Sequence, residues 1–466
     1  MVQQVGDTET PVSAFLKMTA GPHRFLLESM EGGEKWGRYS FLGSEPRAVF
    51  RTRGHQIEIL EGGKVRRETG DPLEFYREVL KHYRPAQLKD LPRFAGGLVG
   101  YCAYDLVRHM ERLPDLKKPA LPAYDSHFML QDSLIAFDNL AHRLEVVVMA
   151  DLKAAGGTRK AYDQAVRRLE GLLKRLKKPL PKAKRPRRPT PLKPKSNTTE
   201  REFHQMVKRS IEYIKAGDIF QVVPSQRWEA KFNRAPFEVY RQLRQLNPSP
   251  YLFYLEFKDQ VLTGSSPEVM VRLEGDKITL RPIAGTRRRG RDAADEVAME
   301  QEMMNDPKEV AEHIMLVDLG RNDVGRVAKT GSVKVTEMLG VEKYSHVMHI
   351  VSNVEGTKRP KADAIDVLKS TFPAGTLTGA PKIRAMEIIE ELEKGRRGPY
   401  GGCVGYLDFY GNMDTAITIR SLFFAEGKAW WQAGGGVVLD SKPNLEYLES
   451  NNKARAVLEA LKRSSV

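Results

Sequence analysis

Apolar and polar positions alternate in short runs over much of the chain, and Gly or Pro breaks the runs. In the first third, FLLESM, YSFLGSEPRAVFRT and HQIEILEG read as strands, as do GGLVGYCAY, FMLQDSLIAFD and RLEVVVMA. Helical spacing appears at PLEFYREVLKHY and TRKAYDQAVRRLEGLLKRL. After residue 196 the helix TEREFHQMVKRSIEYIKAGD opens at the capping cluster Asn197-Thr198-Thr199. Strands are expected at IFQVVPSQRWEA, YLFYLEF and KITLRPIAG, and helices around 293–319, 381–394 and 444–462. The tail reads as a meander: GGCVGYLDFY, TAITIRSLFF and AWWQAGGGVVL, joined at Gly411-Asn412 and Glu426-Gly427. Strands follow strands rather than alternating with helices, so the expected class is α+β with antiparallel sheets.

Composition changes this picture in one place. From Lys174 to Lys195 the chain holds eleven Lys or Arg, six Pro and no acid. Prolines at that density exclude a continuous helix or central strand. The stretch predicts an extended linker, residues 173–196, between an N-terminal region 1–172 and a C-terminal region 197–466. The net charge of +15, less the +11 of this stretch, leaves only +4 for the rest. The linker has no aromatic residue, which argues against single-stranded nucleic-acid binding. No run approaches the ~20 apolar residues of a membrane span. Two cysteines are too few for a disulfide framework, and a reducing cytoplasm is the expected compartment.

No phosphate-binding loop of the usual kinds occurs. Two carboxylate pairs at i,i+3 spacing stand out, Glu309 with Glu312 and Glu446 with Glu449. Each pair shares a helix face. Two such faces meeting would suit a hard cation, and surface solvation or capping is the competing reading. Gly434, Gly435 and Gly436 end an apolar strand, where backbone N–H groups can approach an anion. Arg420 alternates with Ile417 and Ile419 and suits a carboxylate. His349 lies in an apolar strand-like run and can exchange protons near neutral pH. The helix that starts near Lys382, with Thr376 and Thr378 before it, can favour an anion. Together these groups suggest a divalent-metal site for a small polyanion.

Read in order, PIAGTRRRG (282–290), EHIMLVDLGRND (312–323), YSHVMHIVSNVEG (344–356), PAGTLTGAPKIRAMEII (373–389), YGGCVGYL (400–407), MDTAITIRS (413–421) and QAGGGVVLDS (432–441) resemble the chorismate-binding enzymes. LLES (26–29), RYSFLG (38–43) and GGLVGYCAYDLVR (96–108) extend the resemblance toward the N-terminus. It implies a large α/β sandwich, antiparallel sheets surrounded by helices with the active site between them. It implies Mg²⁺ held directly by Glu312 and Glu449, with Glu309 and Glu446 in support through waters. Tyr400, Arg420 and the amides of Gly434, Gly435 and Gly436 would bind substrate carboxylates, Thr376 would line the pocket, and His349 would move a proton during aromatisation.

Two positions discriminate within the family. Water-adding members carry a lysine base where this chain has Gln221, and Gln cannot deprotonate water. Members that form 4-amino-4-deoxychorismate commonly carry a nucleophilic lysine where this chain has Ala284. Both residues favour ammonia attack at ring C2, giving anthranilate and pyruvate. Neither cysteine sits in a glutaminase context, so the resemblance implies a separate glutamine amidotransferase subunit as partner. Glu28 and Ser29, with Pro248, Tyr251, Leu252 and Phe253, match the family's tryptophan feedback site, where Leu252 replaces a frequent Met.

Overall fold

The computed structural model describes residues 1–18, 21–30, 37–182, 191–344 and 347–464. Two large antiparallel sheets face each other. Among the described residues one has eleven strands and the other twelve. Both draw strands from either side of the basic stretch. In the first sheet, Arg24–Glu28 pairs with Tyr251–Glu256. In the second, Gly97–Cys102 pairs with Cys403–Asp408. Between the sheets lies an apolar layer that includes Phe25, Phe41, Phe253 and Phe423 from the first and Val99, Met129, Val404 and Tyr406 from the second. Side chains on successive strand positions point to opposite faces, so each sheet spends one face on this layer and the other on helices.

The hairpins at Gly411-Asn412 and Glu426-Gly427 form as expected: Met413–Ile417 pairs with Cys403–Asp408, and Ser421–Ala425 with Lys428–Gly434. Several runs that read as one strand are two. Within YSFLGSEPRAVFRT, Tyr39–Ser44 belongs to the first sheet and Ala48–Arg53 to the second. Within FMLQDSLIAFD the chain changes sheets at Asp132. TAITIRSLFF splits in the same way: Met413–Ile417 lies in the second sheet and Ser421–Ala425 in the first. The alternation set by Ile417 and Ile419 therefore does not carry through to Arg420, whose φ is +48°. The neighbouring strand crosses at the same level. Gln260–Ser266 is in the first sheet and Val269–Glu274 in the second, with Pro267-Glu268 at the crossing. Gly264 faces Ser421 and Val269 faces Ala416, so the two crossings are adjacent.

The helices that frame these crossings have clear starts. Asp306 caps Pro307–Gly325, accepting from the N–H of Lys308 at 3.0 Å, with Pro307 in the first turn. This cap divides the expected 293–319 segment into Ala293–Met304 and Pro307–Gly325. Pro likewise opens the last helix, Pro443–Arg463. The helix before the basic stretch, Thr158–Leu176, stops short of Pro179. Lys195–Ser196 resumes as an edge strand on Glu229–Trp228. The middle of the expected linker, 183–190, lies outside the described residues. Among the described residues no helix is long and apolar enough to cross a membrane.

Candidate active site

The glycine run at 434–436 is the meeting point. A Cβ on Gly435 would lie 3.0 Å from Glu446 Oε2 and 3.4 Å from Glu449 Oε1. A Cβ on Gly436 would lie 3.3 Å from Glu312 Oε1 and only 2.3 Å from Gln221 Nε2. The Pro307–Gly325 and Pro443–Arg463 helices thus bring three carboxylates against two consecutive glycines. Gln221 Nε2 donates to Glu312 Oε1 at 3.0 Å. Burial pushes the Glu312 carboxyl above its ordinary value against that hydrogen bond, and the charges of Glu309 and Glu449 add to the rise. Burial raises Glu446 as well, and Glu449 adds to it. Ser441 donates to Glu446 Oε1 at 2.7 Å, while Glu446 Oε2 is buried and has no hydrogen-bond partner among the described residues.

Crowded carboxylates, with one buried and orphaned oxygen on Glu446, are what a cation would relieve. The donors are all oxygens, the set a hard cation such as Mg²⁺ takes. Glu309 sits further out, paired with Arg287 at 3.2 Å, and Glu449 is paired with Lys453 at 2.7 Å. Among the described residues no three acidic, His or Cys side chains are gathered closely enough to hold a metal by themselves. The set therefore fits a cation that also takes water or substrate oxygens.

The anion-binding groups lie alongside. Arg420, at the sheet crossing, is in no ion pair among the described residues. Burial pulls its guanidinium below the ordinary value, and nearby Glu268 opposes this. The Tyr400 phenol is pushed up by burial, and the nearby Arg397 charge opposes this. Thr376 Oγ1 donates to Glu268 Oε1 at 2.7 Å.

Glu268 was not among the residues picked out by the sequence. Burial drives its carboxyl from 4.5 up to about 8, against the Thr376 hydrogen bond and the Arg420 charge. A carboxyl that stays protonated at neutral pH beside a cationic anion-binding group is a proton donor in waiting. Its one sequence signal is a carboxylate inside the apolar run GSSPEVMV.

His349 is buried, and its Nδ1 lies 2.7 Å from the Gly285 carbonyl oxygen. A carbonyl only accepts, so Nδ1 carries the proton and Nε2 keeps its lone pair. Burial lowers the ring's pKa and favours this neutral, basic form. Gly285 adopts φ +63°, which sets the carbonyl for this contact. Lys382 does not open a free anion site. Its Nζ is held by Asp323 at 2.7 Å.

A separate cleft lies between the sheets. Glu28, Ser29, Tyr251, Leu252 and Phe253 line it on one side and Arg272 and Asp414 on the other. Pro250 is at its wall, and Pro248 is not among its lining residues. Tyr251 donates to Asp414 at 2.8 Å, and Ser29 Oγ is buried without a hydrogen-bond partner among the described residues. The Glu28 carboxylate is taken by Tyr240 and Arg244.

The chain matches the family model described as chorismate binding enzyme over residues 22–459. It is 49% identical to "Anthranilate synthase component 1" of Aquifex aeolicus, covering 98% of this chain and 92% of that protein. It is 48% identical to the protein of the same name from Pseudomonas aeruginosa, covering 98% and 94%. The crystal structure of anthranilate synthase component I from Streptococcus pneumoniae superposes with a TM-score of 0.82 at 35% identity, covering 97% of this chain and 98% of that one. The menaquinone-specific isochorismate synthase of Escherichia coli shares the fold, with a TM-score of 0.74 at 17% identity over 99% of this chain and 93% of that one. From the helix-borne glutamates at the glycine run to these full-length likenesses, the chain belongs to the chorismate binding enzyme family.

Proposed function

We propose that this chain converts chorismate and ammonia to anthranilate and pyruvate. The observation that carries this reading is Gln221, set beside Glu312 where a water-activating lysine would otherwise stand. An amide cannot take a proton from water, so a nucleophile that attacks without first being deprotonated, as neutral ammonia does, is favoured. Near-half identity to anthranilate synthase component 1 over almost the whole chain supports the same choice.

Arg420, the Tyr400 hydroxyl and the amides of Gly434, Gly435 and Gly436 bind and orient the enolpyruvyl carboxylate. Glu312 and Glu449 would hold Mg²⁺, with Glu309 and Glu446 supporting it. When bound, the ion supplies charge compensation for the ring carboxylate and for loss of the C4 hydroxyl. Glu268, kept neutral by burial and oriented by Thr376, gives its proton to that hydroxyl as it leaves. Ammonia bonds to ring C2 as the ring double bonds shift and the C4–O bond breaks to release water, and the surplus proton of the new ammonium returns to the Glu268 carboxylate. His349 Nε2 then accepts the ring proton as pyruvate is lost and the ring becomes aromatic.

Ammonia comes from a partner glutamine amidotransferase, in keeping with the component 1 names of the relatives. Tryptophan occupies the cleft at Ser29 and Tyr251 and lowers activity. The cytoplasm is the expected compartment. The test is the purified chain with Mg²⁺, chorismate and ammonium at high pH. Fluorescent anthranilate is expected. Product that separates on chromatography as 4-amino-4-deoxychorismate would overturn the proposal.

A further inference from the structure

Arg397 is a fully buried arginine that the reaction scheme does not use. Its Nε lies 3.1 and 3.0 Å from the two oxygens of Glu393. Its Nη1 donates to the Leu377 carbonyl at 2.7 Å, one residue from Thr376. Its Nη2 donates to the Val223 carbonyl at 2.7 Å, two residues from Gln221. The same guanidinium lies 5.6 Å from the centre of the Tyr400 ring. Glu393 extends the network. Its Oε1 accepts from the Ser225 N–H at 2.9 Å and from the Ser225 hydroxyl at 2.6 Å. Ser225 faces Gly434 in the strand register, and Gln432 Nε2 reaches its hydroxyl at 2.7 Å.

We infer that Glu393 and Arg397 form a positioning pair, which sets the spacing of four segments: the strand after Gln221, the Thr376 loop, Tyr400 and the glycine run. This rests on the reading of the site given above. The guanidinium is planar, permanently charged and rigid, so its bonds to separate backbone segments fix their relative distances. The desolvation cost of a buried ion pair offsets much of its attraction. Placement of reacting groups, in contrast, is sensitive: a shift of ~1 Å can cost ~10²-fold in rate. Two charges that contribute little net stability can therefore be worth a great deal in activity. Neither side chain touches substrate in this scheme, and both act through the segments they hold.

Two variants test this. Glu393→Met with Arg397→Met removes both charges together, the change that buried pairs tolerate best. Arg397→Lys keeps a charge and removes the fork. The readout is disappearance of chorismate, so a wrong product assignment leaves the test intact. The double variant is expected to fold with near-normal melting and to lose about 100-fold in kcat/KM, with Arg397→Lys between it and wild type. Tyr400→Phe should slow the wild type by ~10-fold yet change the double variant less than ~2-fold, because groups acting as a unit are not additive.

A folded double variant within ~2-fold of wild type, or a Tyr400→Phe effect kept in full, would overturn the inference. So would failure of both variants to fold, which would make the pair a stability element. A wild-type chain that leaves chorismate intact overturns the reading of the site and this inference with it. An active wild type with normal variants overturns this inference alone.

Discussion

Replacing Glu268 with Gln separates proton donation from folding. Burial raises this carboxyl from 4.5 to about 8. The stability of its neutral form is fully present below the unfolded value and is lost as pH rises through about 8. At pH 7 the unfolded chain has released the proton and the folded chain has not. The difference of about 2.5 units at 1.36 kcal/mol each amounts to about 3 kcal/mol lost relative to acid pH. Gln keeps an acceptor for the Thr376 hydroxyl and cannot ionise. The stability gap between variant and wild type should therefore widen by about 2.5 kcal/mol between pH 5 and pH 7. With ~2.1 cal/mol/K of unfolding entropy per residue, a chain of this length would show this as about 2 to 3 °C in Tm. Paired melts across pH 5–8 measure it, and chorismate turnover by the variant should fall at least ~10²-fold. Parallel melting profiles would refute the reasoning, because they would mean that folded Glu268 is already ionised and has no proton to give.

Three other substitutions probe the rest of the site. Glu449→Gln should abolish Mg²⁺-dependent turnover with the circular dichroism spectrum unchanged; near-normal activity would count against its place as a ligand. Gly436→Ala sets a methyl 2.3 Å from Gln221 Nε2 and should lower kcat/KM by about 100-fold with little effect on melting; unchanged kinetics would mean that the glycine is dispensable. Ser29→Phe should fill the inter-sheet cleft and relieve inhibition by tryptophan with kcat retained. Unaltered sensitivity in a turnover assay would move the effector site elsewhere.

Strand grammar and turn chemistry were legible in the sequence. The hairpins at Gly411-Asn412 and Glu426-Gly427 follow from local residues alone, and so does the cap at Thr199. The sheet changes at Asp132, at Pro267-Glu268 and between Ile417 and Ser421 were not legible. A strand buried on both faces reads as one apolar run whether it stays in one sheet or passes into another. Arg420 therefore reads as part of a continuous strand, and Glu268 as a single carboxylate inside an apolar run.

The glutamate pairs were visible as spacings. Their convergence on Gly435 and Gly436 is a tertiary fact that no local pattern contains. The same holds for Glu393 and Arg397. In ELEKGRRGPY they look like surface charge, yet the fold closes over both.

The central claim is that this chain adds ammonia to chorismate and aromatises the product. Incubation of the purified chain with Mg²⁺, chorismate and ¹⁵N-ammonium, followed by mass spectrometry, tests it most directly. Anthranilate carrying ¹⁵N, with an equal amount of pyruvate, is the expected result. Isochorismate or 4-amino-4-deoxychorismate as the product, or unchanged chorismate with properly folded protein, would contradict it.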